Sequence, residues 1–386
     1  MLAMRNWLLP EFIEDVLPAE AARVELLRRK CLNLFASNGY QYVIPPMLEY
    51  TESLITGSAS DLDLATFKVV DQLTGRLMGV RADITPQTAR IDAHMLNHAG
   101  VTRLCYAGTV LRTKPDGLAR TREPLQVGAE LYGYSGIAAD IEIQRLLIAS
   151  LQTIGVQDIH LDFSHVGIFE ALVQAGNISE SLEMALYAAL QSKDKSQVAD
   201  LAKDLDATTK QALLDLTDLH GDASVLARAK KVLPTLPAIT QALDDLMAVA
   251  EQLTDAKMGF DLSELRGYHY HSGIVFAAYA QGYAGPLALG GRYDNVGQAF
   301  GRARAATGFS LDLRGVVLAL PLAALAKTIV APAGNDANLL ATIADLRTQG
   351  EVVIQLLVGE TANMAELNAN RQLVLDNGAW HLTLPS

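Results

Sequence analysis

The strongest chemical signal in the sequence comes from polar side chains that alternate along two predicted strands. Residues two apart on a strand share a face, and the two strands present these sets: Tyr106, Gly108, Val110, Arg112 and Gln126, Gly128, Glu130, Tyr132. If the loop Lys114–Glu123 closes an antiparallel hairpin, Arg112, Gln126 and Glu130 converge on one patch. A free amino acid would suit this patch, because carboxylates pair with an ammonium group and an arginine pairs with a carboxylate. A solvated sheet face with ordinary ion pairs is the alternative that the spacing leaves open.

Two more polar residues, Arg81 and Asp83, alternate just before a predicted helix start. Thr85 has the residue type of an N-cap, and Pro86 suits the first helical position. Gly100 would lie past the end of this helix. From residue types alone, Asp83 is a helix-start residue and Arg81 a surface strand residue.

The segment ELRGYHYHSGIV is unusually rich in aromatic and basic side chains for a turn, with Arg266, Tyr270 and His271 among them. Such residues are typical of the walls of a ligand pocket. His269 and His271 could bind a metal only with a third ligand, and the sequence signals none. The glycines around Gly290 predict a turn, and neither a Walker loop nor a dinucleotide fingerprint is present. We therefore predict neither a metal site nor a cofactor site.

The elements that must position these residues predict an α+β fold. Helices are predicted over Pro18–Ala36, from Thr85, and over Ala139–Gly155. Strands are predicted over these segments: Tyr40–Ile44, Ala65–Val70, Arg76–Arg81, Arg103–Thr113, Pro124–Tyr134, His160–Phe163, Met258–Asp261 and Ile274–Ala280. A Gly-rich turn and a helix-like run over Ser310–Leu320 complete the predicted core.

Composition divides the chain further. From about residue 166 to 255 the sequence is rich in Ala and Leu at helical spacing, which predicts a helical insertion in a core of residues 1–325. Residues 327–386 read as strand, helix and strand, which predicts a small C-terminal α/β domain.

Bulk properties limit the class of protein. The net charge of −12 disfavours a nucleic-acid binder, because phosphate recognition normally requires a basic face. Two cysteines, Cys31 and Cys105, cannot form a disulfide framework or a zinc site and indicate a reducing compartment. The apolar N-terminal run is broken by Arg5, Asn6 and Pro10, so it predicts neither a signal peptide nor a membrane span. We expect a soluble cytoplasmic protein with no membrane partner.

In order along residues 10–320, four segments resemble the catalytic core of histidyl-tRNA synthetase, a class II aminoacyl-tRNA synthetase. YVIPPMLEY resembles the first class II motif, a strand at the dimer interface. RLCYAGTVLRTKPDGLARTREPLQVGAELYG resembles the second motif, and LRGYHYH resembles the histidine-specific signature. LGGRYDNV with TGFSLDL resembles a glycine-rich signature and the third motif. The resemblance implies a class II antiparallel sheet flanked by helices.

The resemblance also implies a histidine pocket. Asp83 would contact the ammonium group in place of a glutamate, and Thr85 matches its neighbouring threonine. Gln126 and Glu130 match strand residues that hold the amino acid, and Arg266 matches an arginine beside the carboxyl group. Tyr270 matches one of two tyrosines that face the imidazole, and His271 replaces the other.

The nucleotide half of the resemblance is incomplete. Arg112 matches the arginine that binds the α-phosphate of ATP, but Lys114 stands where the family has a glutamate. Gly315 stands where the family has the arginine for the γ-phosphate, and Arg314 lies one residue earlier, about 100° away around a helix. The resemblance therefore favours amino-acid binding without ATP activation.

A paralogous family, the regulatory subunits of ATP phosphoribosyltransferase, matches this profile. It implies a non-catalytic subunit that activates a short-form catalytic subunit in a hetero-octamer built from dimers, with L-histidine as the feedback effector. The alternatives are a truncated histidine–ATP ligase, which Arg112 and Arg266 favour, a module that binds uncharged tRNA, and a metal-binding protein using His269 and His271.

Overall fold

The computed structural model describes residues 8–54, 60–115, 121–320 and 326–384. The chain divides into two compact units between Leu320 and Pro321. Within the described ranges, no helix combines the length and the apolar character needed to cross a bilayer.

The larger unit is built on a mixed sheet whose nine described strands follow the order β1-β5-β6-β12-β11-β10-β7-β9-β8. The strands have these bounds: β1 Gln41–Tyr42, β5 Thr102–Thr109, β6 Leu125–Tyr132, β7 His160–His165, β8 His220–Gly221, β9 Lys257–Asp261, β10 Ile274–Tyr279, β11 Ala288–Arg292 and β12 Ala306–Asp312. The pairs β1–β5 and β7–β9 are parallel, and the other pairs are antiparallel. The predicted class II fold, an antiparallel sheet flanked by helices, is confirmed.

Helices pack against this sheet, and the helices of the larger unit have these bounds: α1 Pro18–Ser37, α2 Thr51–Leu54, α3 Ser60–Ala65, α4 Thr85–Arg90, α5 Ile137–Thr153, α6 Val166–Ala175, α7 Glu180–Gln191, α8 Lys195–Leu201, α9 Ala207–Leu216, α10 Ser224–Val232, α11 Pro237–Gln252 and α12 Leu313–Ala319. Helix α4 lies on the face opposite the main core. Strand β6 shows how the faces divide. Val127, Ala129 and Leu131 pack into the core beneath the helices, so Gln126 and Glu130 point to the opposite, open face.

A second sheet of three strands lies on the way from α1 to α4. Its strands are β2 Leu48–Tyr50, β3 Phe67–Val70 and β4 Leu77–Val80, paired antiparallel in the order β2-β4-β3. The turn between β3 and β4 lies where the sequence predicts it, because Asp71 accepts hydrogen bonds from the Leu73 backbone and the Thr74 hydroxyl.

The structure starts α4 one residue before the predicted first position, and the helix ends before Gly100, as predicted. Thr85 is the first helical residue and not the N-cap, because its hydroxyl bonds to Tyr106 and Glu130 across the sheet instead of to the helix backbone. The helix continues as a π-helical turn over Ile91–Leu96 and ends at Asn97 in the left-handed conformation, before Gly100.

The predicted turn at Gly290 is wrong, and the helix predicted around Ser310–Leu320 is present but starts three residues later than predicted. Gly290 lies in the central strand β11 and Gly308 in the neighbouring central strand β12. Helix α12 begins at Leu313, directly after β12. A Cβ added at Gly290 would lie 2.4 Å from the Phe276 ring, so glycine is needed for close packing and not for a turn. The Asp312 side chain caps α12 by accepting a hydrogen bond from the Arg314 backbone.

The smaller unit contains a four-stranded sheet in the order β14-β13-β15-β16. Its elements are β13 Thr328–Ala331, α13 Ala337–Thr348, β14 Val352–Gln355, β15 Ala369–Asp376 and β16 Ala379–Thr383. The predicted strand–helix–strand unit is present, and the hairpin β15–β16 extends it. Ile329, Leu339, Ile343 and Leu373 belong to its separate core.

One buried ion pair joins the sheet to the start of α5. The Arg292 guanidinium contacts Asp140 Oδ2 at 2.6 Å and 3.1 Å, and the two residues are 8% and 2% exposed. Arg292 also donates to the backbone carbonyls of Tyr134 and Gly136. The pair therefore fixes the loop that leads from β6 into α5.

Replacing one partner of this pair should destabilise the larger unit strongly. Asp140→Ala removes the buried carboxylate of the pair and leaves Arg292 with only the more exposed Asp294, 3.2 Å away. We expect a loss of about 3 kcal/mol in the free energy of unfolding, measured in urea. Asp218→Ala is the control, since it removes a carboxylate from an exposed pair with Lys195 and should cost less than about 1 kcal/mol. Equal losses in both variants would contradict the structural role of Asp140.

Candidate functional site

The open face of the large sheet holds a cavity of about 530 Å³. Every residue that the sequence resemblance places in a histidine pocket lines this cavity: Asp83, Thr85, Arg112, Gln126, Glu130, Arg266, Tyr270 and His271. They come from β6, the start of α4, and the loops after β5 and β9. Tertiary structure thus brings together side chains that lie far apart in the chain.

Glu130 is the most deeply buried charged group of the cavity, with 1% of its surface exposed. Its Oε1 accepts hydrogen bonds from the hydroxyls of Thr85 and Tyr106, each at 3.0 Å. Its Oε2 accepts a short hydrogen bond from the hydroxyl of Tyr293. Three neutral donors therefore satisfy this carboxyl group, and no cation is among the hydrogen-bond partners described.

Burial raises the pKa of Glu130 from its ordinary value to about 8. The hydroxyls of Tyr293, Thr85 and Tyr106 lower this pKa, but they offset only part of the desolvation, and the nearby charge of Asp83 raises it. Glu130 is thus poised to change charge near neutral pH.

Two glycines form the floor beneath this group. Gly291 and Gly308 are direct partners on β11 and β12. A Cβ added at Gly308 would lie 1.5 Å from Glu130 Oε2, and one added at Gly291 would lie 2.8 Å from His271 Nε2. Any larger residue would displace the two polar side chains from the cavity.

Asp83 lies just before the N-terminus of α4, and two hydrogen bonds fix its carboxylate. Its Oδ1 accepts hydrogen bonds from the Thr85 backbone at 3.0 Å and from Gln126 Nε2 at 2.9 Å. Gln126 Nε2 also donates to Ser310, and Gln126 Oε1 accepts from the Ile84 backbone. Gln126 therefore acts mainly by positioning Asp83, whose half-buried carboxylate can accept from an ammonium group.

Aromatic rings line another part of the cavity wall. Tyr270 stacks on Tyr293 with ring centroids 5.3 Å apart. The hydroxyl of Tyr270 is buried and has no hydrogen-bond partner among the described residues. Burial lowers the pKa of His271 to about 4, so its imidazole is neutral at physiological pH. The wall therefore offers polar atoms to a flat ring.

The cationic groups of the cavity lie at its rim. Arg112 is half-buried and donates to the Ala82 carbonyl at 3.3 Å, and Lys114 lies nearby. Arg266 is exposed and lies 3.6 Å from a carboxylate oxygen of Glu264. A carboxylate ligand would meet positive charge here, while its ammonium group would face Asp83.

The remaining arginine of the third motif points elsewhere. Arg314 donates to the Glu123 carbonyl and to Glu14, each at 3.2 Å, and does not line the cavity. A Cβ at Gly315 would lie 2.6 Å from the Tyr283 hydroxyl and 3.0 Å from Asp312 Oδ2. Neither residue supplies a cationic group to the cavity.

The suggested metal pair is not a pair in space. His271 faces the cavity, whereas His269 is exposed and packs against Tyr268 and Tyr187, with centroid separations of 5.1 Å and 5.9 Å. In the described ranges, no group of three or more His, Cys, Asp or Glu side chains is arranged to hold a metal ion.

Comparison with known families assigns both units. Residues 12–316 match the family model described as histidyl-tRNA synthetase. Residues 326–383 match the model described as the ATP phosphoribosyltransferase subunit HisZ C-terminal domain. The order of the two matches combines a synthetase-like core with a terminal domain that is named for a different enzyme.

Curated relatives extend over nearly the whole chain. The ATP phosphoribosyltransferase regulatory subunit of Methylobacillus flagellatus is 65% identical over 98% of this chain and 98% of its own length. The chain belongs to the ATP phosphoribosyltransferase regulatory subunit family. Its relative from Nitrosomonas eutropha is 53% identical over 98% of this chain and 99% of its own length.

Solved structures agree with this family assignment. An ATP phosphoribosyltransferase regulatory subunit/histidyl-tRNA synthetase from Bacillus halodurans is 26% identical, with a TM-score of 0.83 over 95% of this chain and 97% of that one. Histidyl-tRNA synthetase from Nostoc, at 17% identity, has a TM-score of 0.77 over 96% of this chain and 91% of that one. The latter likeness shows a shared fold.

Several side chains that support or line the cavity of this regulatory-subunit family member were not predicted from the sequence. Tyr106 and Tyr293 bind Glu130, and Ser310 binds Gln126. Tyr106 was on the predicted polar face, but its role depends on a partner 24 residues away. The prediction that Arg81 lies on the surface is wrong: it is 6% exposed and donates to the carbonyls of Thr109 and Pro45.

The raised pKa of Glu130 predicts how stability changes with pH. A carboxyl group whose pKa is raised on folding stabilises the protein below its unfolded pKa, and that stabilisation is lost as pH rises towards about 8. Glu130→Gln removes this titration. The free energy of unfolding of the variant, minus that of the wild type, should increase between about pH 5 and pH 8 by on the order of 4 kcal/mol and then level off. A constant difference across this range would show that Glu130 titrates normally.

Proposed function

We propose that this chain is the non-catalytic, histidine-sensing regulatory subunit of an ATP phosphoribosyltransferase in the cytoplasm. In the absence of histidine it would activate a short-form catalytic subunit, and with histidine bound it would inhibit that subunit. One observation supports the proposal above all. The cavity is lined by side chains suited to each part of an amino acid, but it lacks the second arginine that a triphosphate would need.

The amino-acid half of the cavity supports histidine as the effector. Asp83 suits the ammonium group, and Arg112 with Arg266 suits the carboxylate. Glu130, Tyr270 and His271 present polar atoms to the side chain, with Thr85 and Gln126 holding the carboxylates in place. A ring with nitrogen atoms can use these groups, whereas an apolar side chain would leave them unpaired.

The nucleotide half supports a non-catalytic role. Two positions of this chain resemble the arginines that bind ATP phosphates in the synthetases. Arg112 at the first position lines the cavity, whereas Gly315 at the second has no side chain. The neighbouring Arg314 contacts Glu14 instead. The loss of one phosphate contact removes several kcal/mol of transition-state stabilisation.

Self-association as a dimer is supported by the segment that resembles the first class II motif. Four of its apolar residues are unusually exposed for their type: Tyr42 at 44%, Ile44 at 79%, Met47 at 42% and Leu48 at 44%. Apolar patches of this kind mark protein–protein interfaces. Dimers joined in this way would be the units of the proposed hetero-octamer with catalytic subunits.

Regulation would then be a coupling between two binding events. Histidine changes the activity of the complex only if it binds one state of the complex more tightly than the other. The cavity contains residues from several separate segments, so closing it around a ligand would move those segments together. The net charge of −12 disfavours the alternative role in binding tRNA.

The proposal predicts that one cavity mutation separates regulation from assembly. Glu130→Ala should abolish histidine feedback on a short-form catalytic subunit, because the pocket loses its buried carboxyl group. The subunits should still assemble, as judged by mass in solution. Asp244→Ala removes an exposed carboxylate in the helical insertion and should leave feedback intact. Unchanged feedback in Glu130→Ala would place the histidine sensor elsewhere.

The enzymatic alternative, a truncated histidine–ATP ligase, predicts histidine-dependent exchange of pyrophosphate into ATP. We expect no exchange from the wild-type chain. Gly315→Arg should not restore it, because the added side chain meets Tyr283 and Asp312 and because Lys114 remains. Formation of histidyl-adenylate by the wild-type chain would overturn the non-catalytic assignment.

A further inference from the structure

The hydrogen-bonding role of His271 follows from its partner. Nδ1 lies 3.0 Å from the Gly267 carbonyl oxygen, and a carbonyl oxygen only accepts, so Nδ1 carries a proton. Burial lowers the pKa of His271 to about 4, so the neutral ring has no second proton. Nε2 of His271 is therefore an acceptor. The tyrosine that stands here in the resembling synthetases would be both donor and acceptor.

Glu130 provides the second acceptor at the same place. Its Oε2 lies over Gly308 and the His271 Nε2 lies over Gly291, and these glycines are direct partners on adjacent strands. The Cβ positions of directly opposed residues lie about 4.5–5.5 Å apart. Both acceptors thus stand over one small patch of the sheet, where a single ring can reach them.

The hydrogen bonds around Glu130 can form with its carboxyl group ionised or protonated. The Thr85 hydroxyl, the Tyr106 hydroxyl and Glu130 Oε1 form three contacts of 3.0 Å each. The two hydroxyls supply only two protons for these three contacts. When Glu130 is ionised, both protons point to its Oε1; when Glu130 is protonated, its own proton can complete the third contact. The titratable groups that interact electrostatically with Glu130 include no cation: Asp83, Tyr40, Tyr106, Tyr132, Tyr270 and Tyr293.

We infer that His271 is a specificity-determining residue: with Glu130, it makes the pocket select a ring that donates two N–H groups. The imidazole of the effector then gives one N–H to His271 Nε2, and an additional proton is held between its other nitrogen and Glu130. This inference rests on the proposed function and specifies the protonation state in which the effector binds.

Binding should therefore depend on pH in a defined way. Between the ordinary imidazole pKa of about 6.5 and the Glu130 pKa of about 8, the empty pocket already holds the required proton, so affinity should be nearly constant. Above this window both partners lack the proton and must take one up, so affinity falls. Below it both partners carry a proton and one must be released, so affinity falls again.

Isothermal titration calorimetry of the full chain with L-histidine tests the inference. Between about pH 7 and pH 9 the affinity should fall about tenfold. At the higher pH, binding enthalpies in two buffers of different ionisation enthalpy should reveal uptake of nearly one proton. The ammonium group of free histidine also titrates in this range, so the result must be compared with matched variants.

His271→Tyr is the decisive variant. A tyrosine hydroxyl can donate to the unprotonated nitrogen of a neutral imidazole while ionised Glu130 accepts from its N–H. Proton uptake at about pH 9 should therefore fall to the part that the ammonium group of histidine contributes. Glu130→Gln, whose amide donates without titrating, should also lose the additional uptake. Asp244→Ala, which removes an exposed carboxylate in the helical insertion outside the cavity, should retain it.

The outcomes distinguish this inference from the function on which it rests. Histidine binding with the same proton uptake in wild type and His271→Tyr would overturn the role of His271. Wild-type proton uptake at about pH 9 no greater than that of Glu130→Gln would overturn the requirement for an additional proton. A failure of the wild-type chain to bind histidine at any pH would instead overturn the proposed function.

Discussion

The site depends on the burial of one carboxyl group in the open face of a large β-sheet. Glu130 is 1% exposed, and desolvation of a carboxylate at this depth is costly. Three hydroxyls from separate segments offset part of that cost. Burying this carboxyl group also constrains the neighbouring strand, since Gly308 must lack a side chain to leave room for it. Strand pairing, glycine placement and the start of α4 are therefore linked through one residue.

Under the proposed function, the same cavity keeps one binding function of a synthetase-like fold without another. The groups for an amino acid are fixed by neighbours, as Asp83 is by Gln126 and the Thr85 backbone. The groups for a triphosphate have been reassigned: Arg314 binds Glu14 and the Glu123 carbonyl, and Gly315 is packed beneath Tyr283. A fold built to bring two substrates together can serve as a sensor once only one of them is held.

Much of the architecture could be predicted because side-chain alternation is local. The alternation over Gln126–Tyr132 predicted the two faces of β6, and the helices α1 and α5 lie close to their predicted bounds. The errors share a cause. Thr85 has the residue type of a cap, but a buried carboxyl group competes for its hydroxyl. The glycines of β11 and β12 look like turn residues, but close packing against Phe276 and Glu130 requires them in strands.

Residue types and their order were sufficient to identify the fold class, the candidate cavity residues and the loss of an arginine at Gly315. These features depend on composition, spacing and motif order, which are properties of the chain itself. Only the folded molecule decided that Gln126 supports Asp83, that Arg81 is buried, and that Tyr106 and Tyr293 join Thr85 on Glu130. The charge state of Glu130 and the acceptor role of His271 were decided there too, because desolvation and hydrogen-bond partners come from segments distant in the chain.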